Sequence, residues 1–198
     1  LRVSPFRWIE WFSLGLVAAS AGHLFARGGR LDPLGIAEGV KAMASGIVAR
    51  DLIGLNQSGV DLDLLSHGER IYMKYGLTGA RGEAEQGFPT VINHGLPALE
   101  KALKKGSSLN DAMVHSLISI MANLDDTCVV HRSSVEILEQ VVKPRARTAL
   151  AKGGMMTEDG RRSILLMDEE FASLGISPGG SGDLLAVTLA LHFLSFLT

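Results

Sequence analysis

The stretch SLNDAMVHSLISIMANLDDT, residues 108–127, decides the fold class that this sequence predicts. Ser108 is followed three residues later by Asp111, a pattern typical of a helix N-cap with an acidic residue in the first turn. Apolar residues then recur at helical spacing, at Met113, Leu117, Ile120 and Leu124. This stretch therefore predicts a long and well-buried α-helix.

The predicted helix runs directly into two carboxylates, Asp125 and Asp126. The carboxyl end of a helix disfavours negative charge, so we expect a nearby cation to compensate. His131 and Arg132 are the nearest candidates in the sequence. Paired carboxylates suit a divalent metal or acid–base chemistry, but a contact from Asp125 to Arg132 that only anchors a helix end is an equally open alternative.

On either side of this stretch, apolar residues recur at helical spacing along most of the chain. No run shows the alternation of apolar and polar residues that is typical of a β-strand. Further helices are predicted at 8–26, 34–53 and 64–75, from Pro97 to Gly106, from Ser133 or Ser134 with a kink or division at Pro144, from Thr157, and along the apolar run after Asp183. Apolar spacing places Met43 on the core face of the second of these helices, and Leu165 and Leu166 on the apolar face of the one that starts at Thr157. The fold class is therefore all-α, with residues 1–198 forming a single compact domain of about eight helices.

Composition excludes several classes of protein. The chain has 198 residues, of which 46% are apolar and 20% charged, so it is globular. A net charge of −2 gives no field that would recruit nucleic acid, and the basic residues at 143–152 are interpreted as a solvated helix face. The apolar runs at 8–25 and 184–197 are interpreted as buried helices and not as membrane spans. The single cysteine, Cys128, fits a reducing compartment such as the cytoplasm.

The segment GARGEAEQGFP, residues 79–89, combines one guanidinium and two carboxylates with three glycines. Glycines allow a close approach of the backbone to a ligand, and Pro89 biases Phe88 away from helix. A shaped loop or helix start that binds a polyanion is one interpretation. The alternative is an Arg81–Glu85 helical pair followed by a turn, a surface feature that contributes about 0.2 to 0.5 kcal/mol.

The segment SPGGSGDLLAVT, residues 177–188, places glycines and serines directly before a helix. Unpaired backbone N–H groups at a helix start form a ready site for phosphate. Asp183 would repel a bare phosphate unless a magnesium ion bridged the two. A capped helix start, with Ser181 as the N-cap, is the competing interpretation.

Together these segments resemble the triphosphoribosyl-dephospho-coenzyme A synthase family, which serves citrate lyase and malonate decarboxylase. The resemblance rests on GARGEAEQGFP, on DDTCVVHR at 125–132 and on SPGGSGDLLAVT, with FSLGLVAASAG at 12–22 as a weaker fourth match. It extends over nearly the whole chain from Phe12 onward. The polar block that this family carries before the fourth match has no counterpart here, so the chain is expected to be the C-terminal two thirds of a longer member.

The resemblance implies a transferase that joins ATP to 3′-dephospho-CoA, releases adenine, and supplies the prosthetic-group precursor of an acyl carrier protein. The triphosphate must then be clamped, the attacking hydroxyl needs a base, and the sugar cation needs nearby negative charge. Under this hypothesis the catalytic residues are Glu83, Glu85 and Asp125. The phosphate-binding residues are Arg81, Arg132, Ser177, Gly179, Gly180 and Ser181, and Asp126 and Asp183 bind Mg²⁺.

Two further points stay open at the level of sequence. A catalytically incompetent helical module that binds a nucleotide or a partner protein is the alternative function, since the matching segments favour phosphate recognition more than they define an acceptor. A homo-oligomer is compatible with the sequence, whereas nucleic-acid and membrane partners are not expected.

Overall fold

The computed structural model describes residues 7–48 and 65–197, and within them every regular element is helical, which confirms the all-α prediction. The α-helices are α1 (Arg7–Ala26), α2 (Pro33–Ala44), α3 (His67–Tyr75), α4 (Gly79–Glu85), α5 (Leu96–Lys104), α6 (Leu109–Met121), α7 (Thr127–Arg132), α8 (Val135–Ile137), α9 (Lys143–Ala151), α10 (Glu158–Leu174) and α11 (Gly179–Leu194). Two π-helical segments (Val91–Gly95 and Leu138–Val142) and one 3₁₀ turn (Gly154–Met156) complete the described elements.

Contacts divide the chain into two compact units. The first unit comprises Leu1–Pro89 and Leu189–Thr198, and the second comprises Thr90–Thr188. Each unit has its own buried apolar side chains. The single-domain organisation stays a prediction.

In the first unit α1 packs on α2, and α4 packs on both helices. The close approach of α1 and α2 needs Gly39, because a Cβ there would overlap the side chain of Ser20. The Ser20 hydroxyl donates instead to the carbonyl of Ile36, at 2.8 Å. Apolar spacing assigned Met43 to the core incorrectly: Met43 is 41% exposed, and the smaller Ala44, on the adjacent face, is buried.

The second helix ends earlier than its apolar spacing predicted. Ser45 terminates α2, and Gly46 follows with a φ of +74°, a conformation that interrupts a right-handed helix. The predicted end at residue 53 lies outside the described residues. The break is stabilised by the N–H of Gly46, which donates to the Glu85 carboxylate at 2.7 Å.

In the second unit α6 packs against α5 and α9, and α9 packs against α10. Ser108 caps α6 as predicted, its hydroxyl accepting from the N–H of Asp111 at 3.1 Å. Thr157 caps α10 in the same way. The amphipathic face of α10 is offset from the prediction: Ile164, Met167 and Phe171 are buried, but Leu165 and Leu166 are 65% and 59% exposed.

Both π-helical segments end two residues before a proline. Gly95 precedes Pro97, and Val142 precedes Pro144. Proline lacks the N–H that would bond the carbonyl four residues earlier, and its ring crowds that carbonyl, so a wider turn relieves the clash. The predicted disturbance at Pro144 therefore takes the form of a π-helical turn. No helix among the described residues combines the length and the apolar character that a membrane span requires.

Candidate functional site

Two of the three polar segments meet in the second unit, through the carboxylate of Asp126. One oxygen, Oδ1, accepts from the N–H groups of Cys128 and Val129, at 2.9 and 3.4 Å, and so caps α7. Oδ1 also accepts from the N–H of Gly180, at 3.2 Å. The other oxygen, Oδ2, accepts from the N–H and the hydroxyl of Ser181, at 2.8 and 2.9 Å. We call this arrangement, Asp126 with residues 128–129 and 180–181, the Asp126 clamp.

The Asp126 clamp caps the amino ends of two helices with one buried side chain that is 1% exposed. Both helix ends carry partial positive charge, so the carboxylate occupies the place that an anion would take. The predicted phosphate-binding N–H groups of Gly180 and Ser181 thus already have a negatively charged partner. That partner belongs to a segment 54 positions earlier, which local sequence does not reveal.

The clamp also limits where a magnesium ion fits. Both oxygens of Asp126 are engaged by N–H and O–H donors, so the carboxylate offers no ready position for a metal. Asp183, the other predicted metal ligand, is half-buried on α11. In the described ranges no group of three or more His, Cys, Asp or Glu side chains is placed to hold a metal ion.

Glycines at the start of α11 make room for the clamp. A Cβ on Gly180 would lie 2.9 Å from Oδ1 of Asp126, and a Cβ on Gly179 would lie 3.2 Å from Sγ of Cys128. Burial, followed by the charges of Asp126 and Asp183, raises the pKa of the Cys128 thiol to about 11. Cys128 therefore stays a protonated packing residue and is not an activated nucleophile.

The compensating cation for Asp125 is Lys143, which the sequence predicted to be a solvated surface residue. Its Nζ lies 2.5 Å from Oδ1 of Asp125 and 2.5 Å from Oε1 of Glu139, and the lysine side chain is 8% exposed. Burial acts to lower the pKa of Lys143, but the hydrogen bonds and charges of both carboxylates outweigh it and raise the pKa. The predicted helix ends at Met121, before Asp125, and the cation that pairs with Asp125 comes from 18 positions later in the chain.

The remaining candidates of the second unit lie around the same helix ends. Ser177 is half-buried, and its carbonyl accepts from the N–H of Gly179 at 2.9 Å. Arg132 is exposed in the last turn of α7. The carboxyl end of α6 is satisfied instead by Arg147, whose Nε donates to the carbonyl of Ala122 at 3.2 Å.

The first unit contains the GARGEAEQGFP segment, most of which forms the short helix α4. Arg81 and Glu83 are half-buried on it. Gly82 is required because a Cβ there would overlap the Thr78 side chain. Glu85, a predicted catalytic residue, accepts from the N–H of Gly46 and so joins the end of α4 to the end of α2.

The turn after α4 has an unusual backbone. Gly87 and Phe88 have φ values of +78° and +57°, and Phe88 is fully buried. A bulky residue at positive φ is rare and costs about 1 to 3 kcal/mol unless the surroundings compensate. Here the buried ring and the hydrogen bond from the N–H of Phe88 to the carbonyl of Glu83, at 2.6 Å, hold the turn. This conformation fixes where the helix carrying Arg81 and Glu83 ends.

A cavity of about 730 Å³ in the second unit was not anticipated from the sequence. It lies among α5, α6, α10 and the 3₁₀ turn, and its charged side chains are Lys101, Lys105, Arg161 and Asp111. We call it the basic cavity. Arg161 and Asp111 pair with each other, at 2.6 Å. The sequence around Lys101 and Lys105 has no glycine-rich or acidic motif, so no sequence pattern predicts a binding site there.

His115 also lines the basic cavity. It is 5% exposed, its buried Nδ1 has no hydrogen-bond partner among the described residues, and it lies against Gly154. Burial, followed by the charges of Lys101 and Lys105, lowers the pKa of His115. The ring is therefore neutral near pH 7.

Comparison with known proteins matches nearly the whole chain. The family described as ATP:dephospho-CoA triphosphoribosyl transferase matches residues 11–197. A probable 2-(5''-triphosphoribosyl)-3'-dephosphocoenzyme-A synthase of Malonomonas rubra is 35% identical over 185 residues, which is 93% of this chain and 57% of that protein. A protein of the same name from Azotobacter vinelandii is 48% identical over 126 residues, 64% of this chain and 43% of its own length. The synthase of Pectobacterium atrosepticum is 38% identical over 181 residues, 91% of this chain and 56% of that protein.

The chain thus spans about half the length of the curated relatives it matches. No solved structure matches it.

Proposed function

Because this chain belongs to the ATP:dephospho-CoA triphosphoribosyl transferase family, we propose that it carries the helical part of an enzyme that joins ATP to 3′-dephospho-CoA. The observation that carries the proposal is the family match over residues 11–197, which includes all three polar segments. The product would be 2′-(5″-triphosphoribosyl)-3′-dephospho-CoA, the prosthetic-group precursor of an acyl carrier protein. The reaction would take place in the cytoplasm.

The proposed chemistry exchanges one bond at C1 of the ATP ribose. The 2′-hydroxyl oxygen of the coenzyme ribose forms a bond to that carbon, the bond from C1 to adenine breaks, and the adenine nitrogen takes the bonding electrons. The hydroxyl proton passes to a base, and adenine leaves protonated. Glu83 is the proposed base or stabiliser of the sugar cation, because it is half-buried on a helix whose end is fixed by the Phe88 turn.

Phosphate recognition is assigned first to Arg81, whose planar guanidinium matches phosphate oxygens in a way that lysine does not. Arg132, exposed on α7, is the second proposed phosphate ligand. Ser177 and Gly179 keep this role in the proposal, whereas Gly180 and Ser181 would have to exchange the Asp126 carboxylate for a phosphate.

The other proposed roles follow the geometry of the carboxylates. Asp183 would contact a magnesium ion carried by the triphosphate, since Mg²⁺ is commonly held by one or two carboxylates and substrate phosphates. Asp126 would act by fixing the helix that carries Asp183. Asp125 and Glu85 accept from Lys143 and Gly46, so a catalytic role for either would require that bond to open.

The reaction itself is the test. The chain is incubated with ATP, magnesium and 3′-dephospho-CoA, and adenine and the coupled product are measured by liquid chromatography and mass spectrometry. Release of adenine only when both substrates are present supports the proposal. Binding of ATP by calorimetry without adenine release would identify the alternative, a nucleotide-binding module without catalysis.

Variants separate a catalytic role from a structural one. Arg81→Ala or Asp183→Ala should lower turnover by about 3 to 4 kcal/mol of transition-state stabilisation, a loss of hundreds-fold. A surface ion pair would instead change stability by under about 1 kcal/mol and leave turnover intact. Arg162→Ala, at an exposed position of α10, is the matched control and should leave both unchanged.

A further inference from the structure

The basic cavity carries positive charge that the described part of the chain does not neutralise. Arg161 is paired with Asp111, but neither Lys101 nor Lys105 has an ion-pair partner among the described residues. Lys104 on the same helix is different, since it pairs with Glu100 at 3.7 Å and does not line the cavity. The two lysines are four positions apart, so they lie on one face of α5 with Cβ atoms about 5 to 6 Å from each other.

His115 adds a hydrogen-bonding ring to the lining of the same cavity. It is 5% exposed and lines the cavity, and its buried Nδ1 has no hydrogen-bond partner among the described residues. Because Nδ1 lies against Gly154, the ring nitrogen left to contact a ligand in the cavity is Nε2. A neutral imidazole offers one N–H donor, which suits an anionic oxygen.

Size and surroundings narrow the class of ligand. At about 730 Å³ the cavity falls within the range of pockets that hold molecules as large as a nucleotide. Ser107 and Ser108, at the start of the 13-residue helix α6, also line it, so the positive end of that helix faces the same space. Two lysines, a helix start and a neutral histidine together favour a chain of phosphates over a single carboxylate.

We propose that the basic cavity binds the oligophosphate chain of a nucleotide-type ligand, with Lys101, Lys105 and His115 as its ligands. The choice of oligophosphate rests on the proposed function, whose two substrates both contain one. The triphosphate of ATP and the diphosphate of 3′-dephospho-CoA share this chemistry, and the arms of the experiment tell them apart. The proposed phosphate-binding residues Arg81 and Arg132 do not line this cavity.

Calorimetry on the whole chain tests the proposal, with sodium tripolyphosphate, ATP and 3′-dephospho-CoA as separate titrants. The Lys101→Ala/Lys105→Ala double variant should bind at least one of them about tenfold more weakly or worse, because two charge-assisted contacts are lost. The Lys104→Ala variant is the matched control and should stay within about twofold of the unchanged chain. Weaker binding of ATP alone or of 3′-dephospho-CoA alone identifies the source of the phosphates.

A second readout locates the ligand. The imidazole nitrogen signals of His115, assigned by comparison with His115→Gln, should shift when the ligand is added. Both lysines are exposed, so the double variant should fold, and thermal melting verifies this. Unchanged affinities for all three titrants in the double variant, or no binding by the unchanged chain, would overturn the proposal.

Failure here is distinct from failure of the proposed function. If adenine is released from both substrates but the double variant binds and turns over normally, the transferase proposal stands and the cavity proposal is wrong. If no adenine is released but tripolyphosphate binds in a manner that depends on the two lysines, the cavity proposal stands alone.

Discussion

At the scale of single residues, Asp126 is the clearest case of one side chain that serves two distant segments. Asp126→Asn keeps the shape but replaces one acceptor oxygen with an NH₂ group, which would face the donors of Ser181 or of α7. Since five hydrogen bonds to a charged group are disturbed, the free energy of unfolding should fall by about 2 to 4 kcal/mol. Urea denaturation measures it, and Asp168→Asn, exposed on α10, should change stability little. An Asp126→Asn variant as stable as the control would contradict the clamp.

Cys128 gives a second prediction at this scale. Its pKa rises from 9.0 to about 11, so at a given pH the thiolate population, and with it the rate of alkylation, should drop about a hundredfold. Mass spectrometry of the chain treated with iodoacetamide at pH 8 measures the rate. Because Cys128 is the single cysteine, the same chain in urea is the reference. Equal rates in the folded and unfolded chain would show that the thiol is neither buried nor raised in pKa.

At the scale of elements, Gly180 and Gly182 lie in the same first turn of α11 but differ in the space available for a side chain. Gly180→Ala would push a Cβ to 2.9 Å from Oδ1 of Asp126, and the displaced carboxylate should cost about 1 to 3 kcal/mol. Gly182→Ala is the matched variant in the same turn, where a Cβ meets nothing within 4 Å. Alanine there should stabilise the helix by about 0.5 to 1 kcal/mol. Thermal melting should therefore move in opposite directions, and equal shifts would refute the assignment.

Elements also show what sequence patterns can and cannot predict. Ser108 was assigned as a cap and Thr157 as the start of a helix, both correctly, because a cap and its helix are adjacent in the chain. The partner of Gly180 and Ser181 was missed because it comes from a different segment. The basic cavity was missed for the same reason, since its lining residues are spread from Asn93 to Arg161. Apolar spacing predicted helices reliably but misassigned Met43 and Leu165, because spacing does not determine which edge of a face finds a neighbour.

At the scale of the whole molecule, His115 links stability to pH. Its pKa is lowered in the folded chain, mainly by burial and then by Lys101 and Lys105, from an ordinary value near 6.5. As the pH falls below 6.5, His115 binds a proton more readily in the unfolded chain than in the folded chain, so the free energy of unfolding decreases. His115→Gln should remove up to about 1.4 kcal/mol per pH unit from this slope between pH 6.5 and 5. Urea titrations at several pH values test this, and an unchanged slope would contradict it.

The Asp126 clamp also has consequences for the folding kinetics, which comprise the rate of folding and the lifetime of the native state. Its contacts close a loop of 54 positions, and closing such a loop costs more chain entropy than forming contacts between neighbouring turns of a helix. We expect the local helices to assemble first and this contact to form after the rate-limiting barrier. Loss of the carboxylate would then leave the refolding rate nearly unchanged and accelerate unfolding. The aspartate would in this way govern the lifetime of the native state and not the speed at which the chain reaches it.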